Sequence, residues 1–227
     1  MNFQILRLIY FGALAIEIFA SLTENLPLHY VSKPLLMPIL LFYYAINTKK
    51  FASAKYPVMA ALIFSWFGDV LLLLDKVYKT FFIYGLMAFL AAHIFYIFYF
   101  WKIRKLNNVA ILPNALIFVG IAAYILALFT YVAPNVQNLL VPVAVYAFII
   151  SVMFTASLTA FDLSKQTFGK ICVAGTFLFL VSDSILAINR FVAPFPLAPV
   201  LIMLTYAGAQ LLITEGSLRN LLKISHE

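Results

Sequence analysis

The sequence predicts an all-α integral membrane protein, a bundle of about eight transmembrane helices with both termini in the cytoplasm. Three observations predict it. Hydrophobic residues make up 65% of the 227-residue chain and charged residues only 10%, against about 45–50% and about 25% in soluble domains. The apolar runs are each close to the roughly 20 residues that a spanning helix needs. The Lys and Arg residues fall between those runs, with a strong bias to one side. The length allows one transmembrane domain, residues 1–227, and no soluble domain beside it.

The first helix, about 3–22, carries an apolar run after Arg7. It has the look of a signal peptide, but Glu17 interrupts it and no small-residue cleavage pattern follows, so it reads as a retained helix. The second, about 33–48, opens at Lys33-Pro34, where a proline in the first turn costs no hydrogen bond. The third to fifth lie at about 57–74, 80–101 and 111–131, and the sixth to eighth at about 138–160, 170–189 and 197–216. Alternating spans put Arg7, Lys49, Lys50, Lys55, Lys102, Arg104, Lys105, Lys165, Lys170, Arg219 and Lys223 on one side, eleven in all. Only four, Lys33, Lys76, Lys79 and Arg190, fall on the other. That asymmetry sets the orientation and favours an even number of spans. It also accounts for the net charge of +7 without nucleic acid, since no basic patch with interleaved aromatics is present. The single cysteine, Cys172, reads as a small apolar helix residue.

An echo joins the two halves. Ser65-Trp66-Phe67-Gly68-Asp69-Val70-Leu71-Leu72 in the third helix resembles Leu180-Val181-Ser182-Asp183-Ser184-Ile185-Leu186 in the seventh, with the aspartates 114 positions apart. A parallel four-plus-four repeat would produce this pattern; so would chance between two apolar helices.

Charged groups at a helix centre cost about 2.5–3.5 kcal/mol on insertion scales and therefore face a bundle interior. Asp69 lies roughly 8 Å and Asp183 roughly 10 Å below the outer ends of their helices, at about 1.5 Å per residue. Lys33 and Glu17 belong to the same outer half, while His93 and Gln210 lie deeper. These depths predict a polar cavity in the outer half of the bundle. Ser65 and Asp69 share a helix face, as do His93 and Tyr96, and Tyr206 and Gln210. Gly68 would let a neighbouring helix approach closely. Each residue also has a structural reading: a lone aspartate can simply fix packing, and Lys33 and Arg190 can be interfacial. Two aspartates at matched depth favour function.

Metal chemistry is constrained. The only histidines are His29, His93 and His226, and only His93 is deep in a span, so a three-histidine zinc centre cannot form. A carboxylate site for magnesium or calcium at Asp69 and Asp183 stays open, but the expectation is no metal and no cofactor.

Lys33-Pro34, Ser65-x-x-Gly68-Asp69, Ala92-His93-x-x-Tyr96, Phe179-x-x-Ser182-Asp183-Ser184-x-Leu186-Ala187-x-Asn189-Arg190-Phe191 and Tyr206-x-x-x-Gln210-x-Leu212-Ile213 resemble, in order, the YhhN-like or lysoplasmalogenase family. The resemblance implies a multi-pass enzyme that hydrolyses the vinyl ether of lysoplasmalogens to a fatty aldehyde and glycerophosphoethanolamine or glycerophosphocholine. It implies Asp69 and Asp183 as the catalytic pair. Around the substrate it implies Lys33, Ser65, His93, Tyr96, Ser182, Asn189, Arg190, Tyr206 and Gln210, with Lys33 and Arg190 for the phosphate and the two serines orienting the aspartates. It implies a lysophospholipid substrate among membrane lipids, no nucleic acid, no protein partner and a bacterial inner membrane. Vinyl ethers hydrolyse by proton transfer to the β-carbon followed by water addition, which two carboxyl groups can divide between them. A small proton- or cation-coupled transporter could use the same acidic pair.

Overall fold

The protein, seen here as a computed structural model, is described over residues 3–48, 53–75, 77–109 and 115–224. Eight long helices run through these segments: α1 (Phe3–Leu22), α2 (Leu26–Asn47), α3 (Tyr56–Leu74), α4 (Phe81–Leu106), α5 (Ala115–Val132), α6 (Leu140–Thr159), α7 (Thr167–Ala187) and α8 (Ala198–Ile224). A π-helical turn, Ile188–Val192, follows α7. Among the described residues 7 helices are long and apolar enough to cross a membrane. The remaining one, α2, has the length at 22 residues, but His29, Lys33 and three prolines lower its mean hydropathy. Lys49, Lys50, Lys76, His226 and the start of the predicted fifth helix at 111–114 lie outside the described residues.

The main difference from the sequence expectation is the start of α2, seven residues earlier than Lys33. Asn25 caps the helix by accepting a bond from the Leu28 N–H at 3.1 Å, and Pro27 occupies the first turn, a combined start signal stronger than Lys33-Pro34. Pro34 and Pro38 are therefore interior. Pro38 cannot donate to the Pro34 carbonyl four residues back; the indole Nε1–H of Trp66 on α3 donates to that oxygen instead, at 3.0 Å. A defect in α2 is thus repaired by its neighbour and ties the two helices together. At the other end, α8 runs to Ile224, past the predicted limit near 216, and Glu215 within it is held by hydrogen bonds.

That anchor also locates the chain ends. Glu215 accepts from Tyr43 Oη at 2.7 Å and from Arg219 Nε at 2.9 Å, and it bonds Arg7 of α1. The start of α1, the end of α2 and the end of α8 therefore meet at one end of the bundle. Arg190 and Asp75 join the far ends of α7 and α3. The outer surface stays apolar, with Leu8 70% and Val141 71% exposed, as lipid contact requires.

The most extensive helix pairs are α7 with α8 and α3 with α4. Glycines make both possible. A Cβ on Gly68 would lie 2.6 Å from the Phe89 ring, and one on Gly175 would lie 2.9 Å from the Ala209 carbonyl oxygen. By contrast α5 is peripheral, with Val132 its one buried side chain.

Because backbone atoms of α8 face Gly175, they cannot move aside. Gly175→Ala is expected to lower stability by about 1–3 kcal/mol, read as a depressed thermal unfolding midpoint in detergent. Gly12→Ala, with nothing within 4 Å, is expected to leave it unchanged or slightly raised.

Candidate active site

Between α2, α3, α7 and α8 lies a cleft of about 280 Å³. Asp69, Asp183, Lys33, Ser182, Asn189, Arg190 and Tyr206 all line it. These are seven of its 17 lining residues, and the structure brings both aspartates to one space from helices far apart in the chain.

Each aspartate is held by a tyrosine rather than by the serine expected to orient it. Tyr206 of α8 donates to Asp69 Oδ2 at 2.8 Å, and Lys33 Nζ stands 3.8 Å from the other oxygen. Tyr146 of α6 donates to Asp183 Oδ2 at 2.6 Å, and His93 Nε2 lies 3.2 Å from the same atom. The phenol and the imidazole are themselves 2.9 Å apart, so Asp183, Tyr146 and His93 form a closed three-way contact. Asp69 is 1% exposed and His93 0%; Asp183 keeps 13% of its side chain open to the cleft. Charges this deep persist only with such donors. A run of rings connects the two aspartate sites: Tyr206 to Phe179 at 5.5 Å and Phe179 to His93 at 4.7 Å.

Three expected residues sit one layer below. Gln210 Nε2 donates to Ser65 Oγ at 2.8 Å, and its Oε1 accepts from Tyr96 Oη at 2.5 Å. All three side chains are 0% exposed and bond one another, forming the floor of the cleft rather than its lining. Tyr96 and Gln210 are themselves 114 positions apart, the same offset as the aspartates. Ser182 donates to the Ile202 carbonyl at 3.0 Å and not to an aspartate. Asn189 accepts from the Phe195 N–H at 3.1 Å and so fixes the connection into α8. Arg190 forks onto Asp75 at 2.8 and 3.2 Å and lies over the Phe82 ring at 4.4 Å. Both Asn189 and Arg190 belong to the π turn, a feature often found where helices carry sites.

Three residues of the site escaped sequence reasoning. Tyr146 sits in an apolar run with no local signal. Asp75 reads as a loop residue until Arg190, 115 positions on, is folded against it. His29 was legible: once α2 starts at its cap, His29 and Lys33 are one turn apart on one face. Its Nδ1 lies 2.7 Å from Glu17 Oε1, and Ser32 donates to the other oxygen at 2.7 Å. Among the described residues no group of three His, Cys, Asp or Glu side chains stands together as metal ligands would.

A protein-family model described as the YhhN family matches residues 28–217. Lysoplasmalogenase TMEM86B of Homo sapiens is 30% identical over 165 residues, covering 72% of this chain and 64% of the human one. The Mus musculus protein of the same name is 30% identical over 169 residues, covering 74% and 66%. Lysoplasmalogenase TMEM86A of Bos taurus is 28% identical over 170 residues, covering 72% and 65%. The chain therefore spans a little under two-thirds of the length of these relatives. No solved structure matches it.

Removing the Tyr146 hydroxyl leaves Asp183 and His93 short of a buried partner. Tyr146→Phe is expected to cost about 1–3 kcal/mol, measured by thermal unfolding. Tyr124→Phe removes a bond to Ser184 made by a tyrosine that is itself 42% exposed and is expected to cost less than about 1 kcal/mol.

Proposed function

The chain belongs to the YhhN family, and on that premise we propose that it is a membrane lysoplasmalogenase. It would cleave the vinyl ether of a lysoplasmalogen with water, releasing a fatty aldehyde and glycerophosphoethanolamine or glycerophosphocholine. The observation that carries this reading is one cleft lined by Asp69 and Asp183 together with Lys33 and the Arg190–Asp75 pair. The names of the relatives at about 30% identity support it.

The chemistry proceeds in two steps. One aspartic acid transfers its proton to the β-carbon of the C=C bond, and the ether oxygen shares the resulting positive charge as an oxocarbenium ion. The other aspartate removes a proton from water as its oxygen bonds to the cationic carbon. The hemiacetal so formed collapses to aldehyde and the glycerol hydroxyl, with the proton returned to the first carboxylate. The paired acid and base of glycosidases handle a similar cation. Phe89 and Tyr206, edge to face at 5.6 Å beside Asp69, present ring surfaces that favour positive charge.

Lys33 and Arg190 suit the phosphate. Arg190 presents a planar fork, now on Asp75, and a phosphate would compete for it. Lys33, at 3.8 Å from Asp69, is at ion-pair rather than hydrogen-bond distance and keeps donors for an anion. The compartment proposed is the bacterial inner membrane, with the cleft on the side opposite the basic connections.

In detergent micelles the wild type is expected to release aldehyde from lysoplasmalogen. Asp69→Asn and Asp183→Asn are each expected to lower the rate at least about 100-fold while the protein stays monodisperse. The reading fails if the wild type releases none, or if both folded variants keep full rate. Lys33→Met is expected to raise KM more than it lowers kcat, because a phosphate contact is made in ground and transition states alike.

A further inference from the structure

Asp183 does not line the cleft alone. It also lines a second, open-sided apolar space between α5, α6 and α7, and a third between α4, α6 and the π turn. The third shares Phe82 and Leu186 with the polar cleft, and Val143, Tyr146 and Ala187 with the α5 cavity. The three spaces thus form one series, and Asp183 stands where the polar part gives way to the apolar part.

The far cavity is built for hydrocarbon. From α5 it receives Ile125, Leu128, Phe129 and Val132, spaced at three, four and seven residues as one helix stripe. From α6 and α7 it receives aliphatic side chains, with the polar groups of Tyr146, Asp183 and Ser184 at its inner wall. Interiors are normally close-packed, and unfilled apolar space forfeits dispersion energy. Here α5 stands off α6 and α7 instead of closing on them, while its other side, with Leu126 63% exposed, meets lipid. A membrane supplies an occupant of the right chemistry.

We infer that the slot between α5, α6 and α7 holds the aliphatic chain of a single-chain phospholipid, whose head lies in the Lys33–Arg190 cleft and whose first chain carbons pass Asp183. The identity of the lipid as a lysoplasmalogen rests on the function proposed above; the presence of a chain in the slot does not. In such a lipid the vinyl ether is the junction between head and tail. The slot therefore sets which bond reaches the carboxylates, and its length sets which chain lengths fit.

The test uses the full-length protein in detergent and a lysophosphatidylethanolamine with a diazirine at the end of its chain. After irradiation, adducts are mapped by mass spectrometry. They are expected on α5 and α6 residues that line the slot. Ala147→Trp, which fills the slot from α6, is expected to lower this labelling at least about fivefold. Leu128→Trp fills it from α5, where few contacts constrain folding, and is expected to do the same. Phe148→Trp, on the 64% exposed lipid face of α6, is expected to leave it unchanged. With lysoplasmalogens of graded length, the filled-slot variants are expected to shift turnover towards shorter chains. Adducts confined to outward-facing residues, or labelling of the slot unaffected by both tryptophans, would overturn the inference. Slot labelling by a wild type that releases no aldehyde would uphold it and overturn the proposed reaction instead.

Discussion

Carboxylates within these spans are met by donors from other helices, and the bundle is organised around those meetings. Glu17 of α1 accepts from Ser32 of α2, with the His29 ring nitrogen 2.7 Å from its other oxygen. Asp69 of α3 is held by Tyr206 of α8 with Lys33 of α2 beside it. Asp183 of α7 is held by Tyr146 of α6 and His93 of α4. Glu215 of α8 is held by Tyr43 of α2 and by Arg7 of α1. An unpartnered charge in so dry a setting is too costly to keep, so each acid selects its neighbours. Seven of the eight helices take part in this network, and α5 does not. Its polar tie, Tyr124 to Ser184 at 2.8 Å, is between neutral groups. That is a physical reason why α5 stands apart and leaves apolar space beneath it.

The half-length echo in the sequence has a structural counterpart, but an unequal one. The helices that carry the echo, α3 and α7, make the most extensive pairs, with α4 and α8, and Tyr96 and Gln210 at the shared offset bond each other. Yet the donors differ. The partner of Asp69 comes from α8 and that of Asp183 from α6, and only Asp183 has an imidazole within reach. The two carboxyl groups thus occupy different surroundings.

Packing between apolar helices is set by small residues and by repaired backbone as much as by side-chain area. Gly175 and Gly216 let α7 and α8 approach until their backbones nearly touch. The Trp66 bond to the Pro34 carbonyl lets α2 keep two interior prolines and still present Lys33 to the cleft. With no water to satisfy a broken helix, a neighbouring helix must do so.

The sequence by itself determined the class and, apart from the start of α2, the helices. Apolar length and scarce charge have few solutions in a bilayer, and a buried Asp69 or Asp183 stands out because it is costly. The charged residues Asp69, Asp183, Lys33 and Arg190 of the cleft were legible for the same reason. Helix starts were legible to within a few residues except at α2, where the eye-catching Lys33-Pro34 hid the Asn25 cap. The tertiary structure alone decided which groups meet. Tyr146, Asp75 and the slot under α5 carry no local signal, because a tyrosine or leucine in an apolar run reads the same whether it faces lipid, a carboxylate or a cavity. It also decided that Ser65, Tyr96 and Gln210 form a floor and not a wall. Spacing along one helix says which residues share a face; only the packing of helices distant in sequence says what that face meets.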